Sequence, residues 1–299
     1  MKSVLPRLAL HAALLLLCTA FILPLVWVLS TSAKPESQAA SGEIRLLADP
    51  PGRTLEYAAE NYADVWNDPA VRFPLYLRNT LIVASLSVVG MTFSSAMVAY
   101  GLSRIRWRGR SVVFASVLLT MMIPFPVIMA PLFIVFRGID RTFEAAGLLP
   151  TLEWLRMIGT LKPLWIPAWF GGAFNIFLLR QFYMGLPAEL DEAARIDGCS
   201  HWTIFWRIIV PLSRPALAVV ALFHFIYVWN DFLGPLIFVN DQDQFTLARG
   251  LQLYQGQAGM TPWNLLMAAS AMMISPILVL FFLTQTTFVK GVATEGLKG

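Results

Sequence analysis

Along the chain, hydrophobicity rises and falls in long blocks, without the short alternations of a soluble fold. Six blocks approach or exceed the roughly 20 apolar residues that a helix needs to cross about 30 Å of hydrocarbon. They run over Leu8–Leu29, Thr80–Leu102, Val112–Phe136, Pro163–Tyr183, Pro215–Val239 and Trp263–Val289. Each reads as a membrane-spanning helix, because a helix satisfies its own backbone polar groups where no water is at hand. The first block has a basic start, Lys2 and Arg7, and small residues behind it at Ser30-Thr31-Ser32-Ala33. Those are also marks of a secretory signal, but the apolar run exceeds the roughly 7–15 residues of a signal core, so a retained helix is expected. Pro124 and Pro126 fall at the centre of the third block and Pro276 at the centre of the sixth. Proline frees a carbonyl and bends a membrane helix, which serves either a hinge or the packing of a curved helix.

Composition agrees with this pattern. The 299 residues are 57% apolar and only 13% charged, against roughly 25% charged in soluble domains. Mean hydropathy is +0.65, which leaves too little polar surface to coat a water-soluble globule. A soluble enzyme, a disordered scaffold and a disulfide-stapled domain are thereby argued against, and an all-α polytopic membrane protein is predicted. The net charge of +4 and pI near 9.2 need no nucleic acid, because Lys and Arg collect in cytoplasmic links. Arg104, Arg106, Arg108 and Arg110 crowd the link between the second and third blocks. Arg195 and Arg207 lie between the fourth and fifth, flanked by Arg180 and Arg214, and the tail carries Lys290 and Lys298. By contrast, Ser30–Pro74 holds more acids than bases, and Phe238–Pro262 has Arg249 alone as a base. Both termini are therefore expected in the cytoplasm. Cys18 lies in an apolar block and Cys199 in a polar link, and no metal-ligand spacing is present.

One cytoplasmic link, residues 186–211, has a pattern with mechanical meaning. Pro187 suits a first helical turn. Glu189, Asp191 and Glu192 cluster where the helix dipole favours negative charge. Ala193 and Ala194 add helix propensity with almost no bulk. Gly198 can adopt the left-handed conformation that ends a helix, and Ser200 can cap a second one running through Ile204, Phe205 and Ile208 towards Pro211. An amphipathic helix lying on the bilayer is the plainer alternative. Such a helix, however, wants basic residues on one face and large apolar ones on the other. A small, acidic helix instead suits close approach to another protein.

Glu192-Ala193-Ala194, then Gly198, then Ile208-Ile209-Val210-Pro211 resembles the EAA loop of permease subunits in bacterial ATP-binding-cassette (ABC) importers, with Val210 where leucine is usual. Further segments are similar to the carbohydrate-uptake branch, the maltose-type second permease. They are Leu77-Arg78-Asn79-Thr80, Tyr100-Gly101-Leu102 with the arginines after it, Phe177 to Phe182, Trp229-Asn230-Asp231-Phe232, Leu251–Gly256 and Gly291–Gly299. The resemblance covers about Asn61 to Gly299, and Ile139–Lys162 is longer than the family's usual segment. It implies the type I ABC importer permease fold with six transmembrane helices. The division it implies is an N-terminal helix and extracytoplasmic loop over 1–79, a membrane core over 80–289 and a cytoplasmic tail over 290–299. The implied ATPase-coupling residues are Glu192, Ala193, Ala194, Gly198, Ile208 and Pro211. The implied partners are a second permease subunit, two ATP-binding subunits and an extracytoplasmic sugar-binding protein. Independently of any relative, the chain has no G-x-x-x-x-G-K-[ST] phosphate loop. No cofactor is therefore expected on this chain, and ATP with Mg belongs to the partner ATPase.

Polar groups inside the blocks are candidates for the substrate path. Asn175 lies near the middle of the fourth block and His224 near the middle of the fifth, with Asn230 and Asp231 about two turns further out at 1.5 Å per residue. A charge at the bilayer centre costs about 2.5–3.5 kcal/mol on insertion scales, so such groups face a wet path or bond to neighbouring helices. No catalytic constellation accompanies them: His224 has no evident serine partner for an intramembrane protease. A secondary transporter or channel would leave the helix-glycine-helix link unexplained. An importer branch for amino acids, phosphonates or glycerol phosphate shares that link and competes in substrate class.

Overall fold

The computed structural model describes the backbone of residues 4–255 and 261–296 and the side chains of residues 7–255 and 261–285. The described residues are helical throughout their regular structure, with no strand among them. The chain divides into two compact units, one of residues 1–75 and 250–278, the other of residues 76–249 and 279–299.

In the first unit, α1 (Val4–Ser32) is the first apolar block. It continues through Pro24, and its most hydrophobic window has no buried residue, as expected of a helix solvated by lipid on all sides. After it the chain turns back to α2 (Thr54–Asn67). Asn61 on α2 is the polar hinge pin of this unit. Its Nδ2 donates to the carbonyls of Ser32 and Lys34, both at 2.8 Å, and its Oδ1 accepts from Asn264 at 2.8 Å.

The second unit is built on α3 (Phe73–Ser103), an uninterrupted helix of 31 residues that holds different links at its two ends. At its start, Asn79 Nδ2 donates to the carbonyls of Asp243 and Phe245, and Thr80 Oγ1 accepts from the Leu247 N–H at 2.8 Å. At its finish, Ala96, Ala99 and Leu102 are buried against Leu179, Ala194 and Ile209.

The third, fourth and fifth blocks are helices with breaks in them. The third is α4 (Arg110–Thr120) and α5 (Phe125–Ala145), bent by 102° at Met121–Pro124. Proline cannot donate to the carbonyl four residues back, so helix α4 stops where Pro124 and Pro126 begin. The fourth block contains short turns at Lys162–Trp165 and Ile166–Phe170, then α6 (Ala173–Met184). Gly171-Gly172 interrupt it, and α3 satisfies the freed backbone: Ser95 Oγ accepts from the Gly172 N–H at 3.3 Å, and Ser94 Oγ donates to the Ala168 carbonyl at 3.2 Å. A Cβ on Gly90 of α3 would lie 2.4 Å from the Trp169 indole, so only glycine lets this segment pack there. The sixth block belongs to the long terminal helix Trp263–Gly296, which continues through Pro276, so that proline does not break it as the pair in the third block does.

Among the described residues, three helices are thus long and apolar enough to cross a membrane unaided, and two bent pairs pass the same test together. The six-helix expectation treated each block as one straight rod. Hydropathy reports solvent; the breaks in the third and fourth blocks are set by Pro and Gly-Gly, which barely lower it, and the fifth block breaks between Trp229 and Leu233, at Asn230-Asp231-Phe232. The long segment after α5 is fixed by one carboxylate. Asp140, 1% exposed, accepts from the backbone N–H groups of Met157 at 2.7 Å and Ile158 at 3.0 Å.

Candidate functional site

The 186–211 link folds as a helix, a glycine turn and a second helix. Helix α7 (Glu189–Ile196) carries Glu189, Asp191 and Glu192 in its first turn. Pro187 stands just ahead of that turn, because Ala188 is the capping residue. Gly198 has φ +78°, a left-handed conformation that side chains with a Cβ rarely adopt, and Cys199 N–H closes the turn on the Ala194 carbonyl at 2.9 Å. Ser200 caps α8 (His201–Leu212), its Oγ accepting from the Thr203 N–H at 3.2 Å. Helix α8 widens into a π-turn at Phe205–Ile209. It then meets α9 (Arg214–Trp229) at a bend of 78°.

The coupling candidates separate by face. Ala194 is buried, and Ile208 is half-buried against the same core. Glu192, Ala193, Gly198 and Pro211 are exposed. Ile196 is 88% exposed, a large apolar side chain presented to water beside two acids. It was not singled out by sequence, although its place at the end of the small-residue helix was a usable signal. Also missed was the contact that seats the link. Arg104, directly after α3, donates from Nη2 to the Leu186 carbonyl at 2.8 Å and from Nη1 to Asp191 Oδ2 at 3.1 Å.

The candidates for the substrate path have separate surroundings. His224 is buried on α9, with Nε2 2.8 Å from Ser87 Oγ of α3, an interhelical hydrogen bond that corrects the expectation of no serine partner, since the two are 137 residues apart in the chain. Asn175 is buried on α6. Asn230 is exposed at the end of α9, and its Nδ2 donates to the Ile226 carbonyl at 2.8 Å. Asp231 Oδ1 accepts from the Gly234 N–H at 3.1 Å and so starts α10 (Leu233–Phe238).

The described residues thus form a helical membrane protein with a helix-glycine-helix link seated on the end of a spanning helix. Solved structures with the same architecture belong to a bacterial alginate ABC transporter, one of them in complex with an alginate pentasaccharide-bound periplasmic protein. That chain matches with a TM-score of 0.65 over 93% of each chain at 18% identity, which is a likeness of fold. Residues 90–294 match the model of the binding-protein-dependent transport system inner membrane component, and the chain belongs to that family. It is 30% identical to the arabinooligosaccharides transport system permease protein AraQ of Bacillus subtilis (strain 168), over 98% of this chain and 96% of that one. It is 32% identical to the trehalose/maltose transport system permease protein MalG of Thermococcus litoralis, over 100% and 99% respectively. The protein is accordingly a multi-pass inner-membrane component of a binding-protein-dependent transport system.

Proposed function

We propose that this chain is one permease subunit of an ATP-driven sugar importer. It forms half of the translocation path with a second permease, receives sugar from an extracytoplasmic binding protein, and is driven by two separate ATP-binding subunits. The sugar class rests on relatives whose names specify arabinooligosaccharides and trehalose or maltose. The chain itself binds no nucleotide, and ATP with Mg acts in the partner. Both termini lie in the cytoplasm, a reading supported by the way Arg104 and Asp191 draw the two arginine-rich links to one end of α3.

The observation that carries this reading is the exposed face of α7. Glu192, Ala193 and Ile196 offer a carboxylate, a gap and an apolar knob on a short helix bounded by Gly198. That combination fits a cleft on a partner protein, with burial of the knob supplying affinity and the carboxylate orientation. The test is crosslinking from Ala193→Cys in the intact membrane, where capture of an ATP-binding subunit is the expected result and no capture from either Ala193 or Ala194 rejects the assignment. Of the path candidates, Asn230 and Asp231 border the sugar route and His224 ties α9 to α3. Asn175 is assigned to the buried side of the same route. Asn230→Ala should change uptake rate or preference across a series of oligosaccharides, and unchanged kinetics would remove Asn230 from the route.

A further inference from the structure

Covalent continuity would make α9 the natural recipient of any movement of the link. Yet between α7 and α9 the chain passes through a left-handed glycine, a π-turn and a 78° bend. A stiffer connection runs elsewhere. Arg104 is 8% exposed and Asp191 14%, and their ion pair at 3.1 Å joins the finish of α3 to the first turn of α7. The same guanidinium also holds the Leu186 carbonyl at 2.8 Å and the Pro187 carbonyl at 3.4 Å. One turn back, Tyr100 packs on Phe205 with ring centroids 5.3 Å apart, and its hydroxyl lies 3.4 Å from His201 Nδ1. The finish of α3 therefore grips both limbs of the link, and α3 is unbroken for 31 residues where α9 is jointed at its base.

We infer that Arg104 and Asp191 are positioning residues that make α3 a second output of the coupling link, so that partner-driven movement of α7 is delivered to α3 directly and to α9 through the bend. The inference rests on the proposed coupling role of the link. Arg suits this task because its planar fork engages a carboxylate and a carbonyl together, which a lysine cannot reproduce. Packed elements of this kind shift as bodies when a contact at one end is displaced.

The test uses the whole complex copurified with its ATP-binding subunits, with Cys18 and Cys199 replaced by serine. A bimane label is placed at Val98→Cys on α3 or at Ala218→Cys on α9, and ATP–Mg with vanadate is added. In the parent complex both labels should change emission. In R104Q and in D191N the α3 response should fall at least fivefold while the α9 response and the copurified ATP-binding subunits stay within twofold. The double variant should be no worse than R104Q alone, because the one contact that D191N removes is already lost in R104Q. R104K should recover part of the α3 response. If R104Q does not accumulate in the membrane, D191N, which removes a charge and keeps the shape, decides alone. An α3 response that survives in the variants, or that is absent from the parent, overturns the inference. So does equal loss at both labels, loss of the ATP-binding subunits, or additive effects. A parent that copurifies no ATP-binding subunit rejects the coupling role itself and this inference with it.

Discussion

The 186–211 link and the polar residues within the spans use similar side chains to opposite ends. Within the spans, His224 is paired with Ser87, and Ser94 and Ser95 meet backbone groups freed at the glycine break. On the link, Glu192 points to water and Ile196 is almost wholly exposed. In hydrocarbon an unmet polar group is expensive, so these polar groups are met within the fold. Outside, water tolerates them until a partner arrives. Function on this chain is therefore sought where groups remain unspent.

The contrast is most sharply tested at Gly198. Gly198→Asp forces a residue with a Cβ into φ +78° and should strain the turn without disturbing the spans. Uptake and copurified ATP-binding subunits should fall by about tenfold or more, as expected when a docking surface is misplaced, at unchanged membrane levels. Glu192→Lys should act in the same direction and more weakly, because it reverses one exposed charge on an intact helix. A several-fold loss of ATP-binding subunits that lessens as salt is raised would fit, and normal uptake would count against the surface. On the interior side, Gly90→Ala must displace Trp169 and should cost about 1–3 kcal/mol, read as a lower unfolding temperature in detergent. The smallest effect belongs to Ser87→Ala, which leaves His224 without its partner. Interhelical hydrogen bonds in membranes average about 0.6 kcal/mol, so a slight loss of thermal stability with unaltered uptake is expected. A large uptake defect there would move His224 from the frame to the route.

How much of this was legible depended on the range of the interaction. The glycine turn at 198 and the cap at Ser200 follow from chemistry within four residues, and they are where local rules put them. The long apolar blocks follow from solvent alone. Pro187 fell outside α7 because the capping position is decided by the backbone around Ala188, a margin of a residue or two that propensity does not resolve. The grip of Arg104 on Asp191 joins positions far apart in sequence, and four arginines in seven residues read equally well as topology signals. Nothing local distinguishes the one that turns inward.

The nakedness of α1 has its own consequence. A rod whose apolar stretch is packed against nothing else in its own chain is constrained, within that chain, chiefly by how long and how greasy it is. Its middle should drift freely between leucine, isoleucine, valine and phenylalanine from one species to the next. What must hold still is the knot behind it, where Asn61 receives the chain as it leaves the membrane.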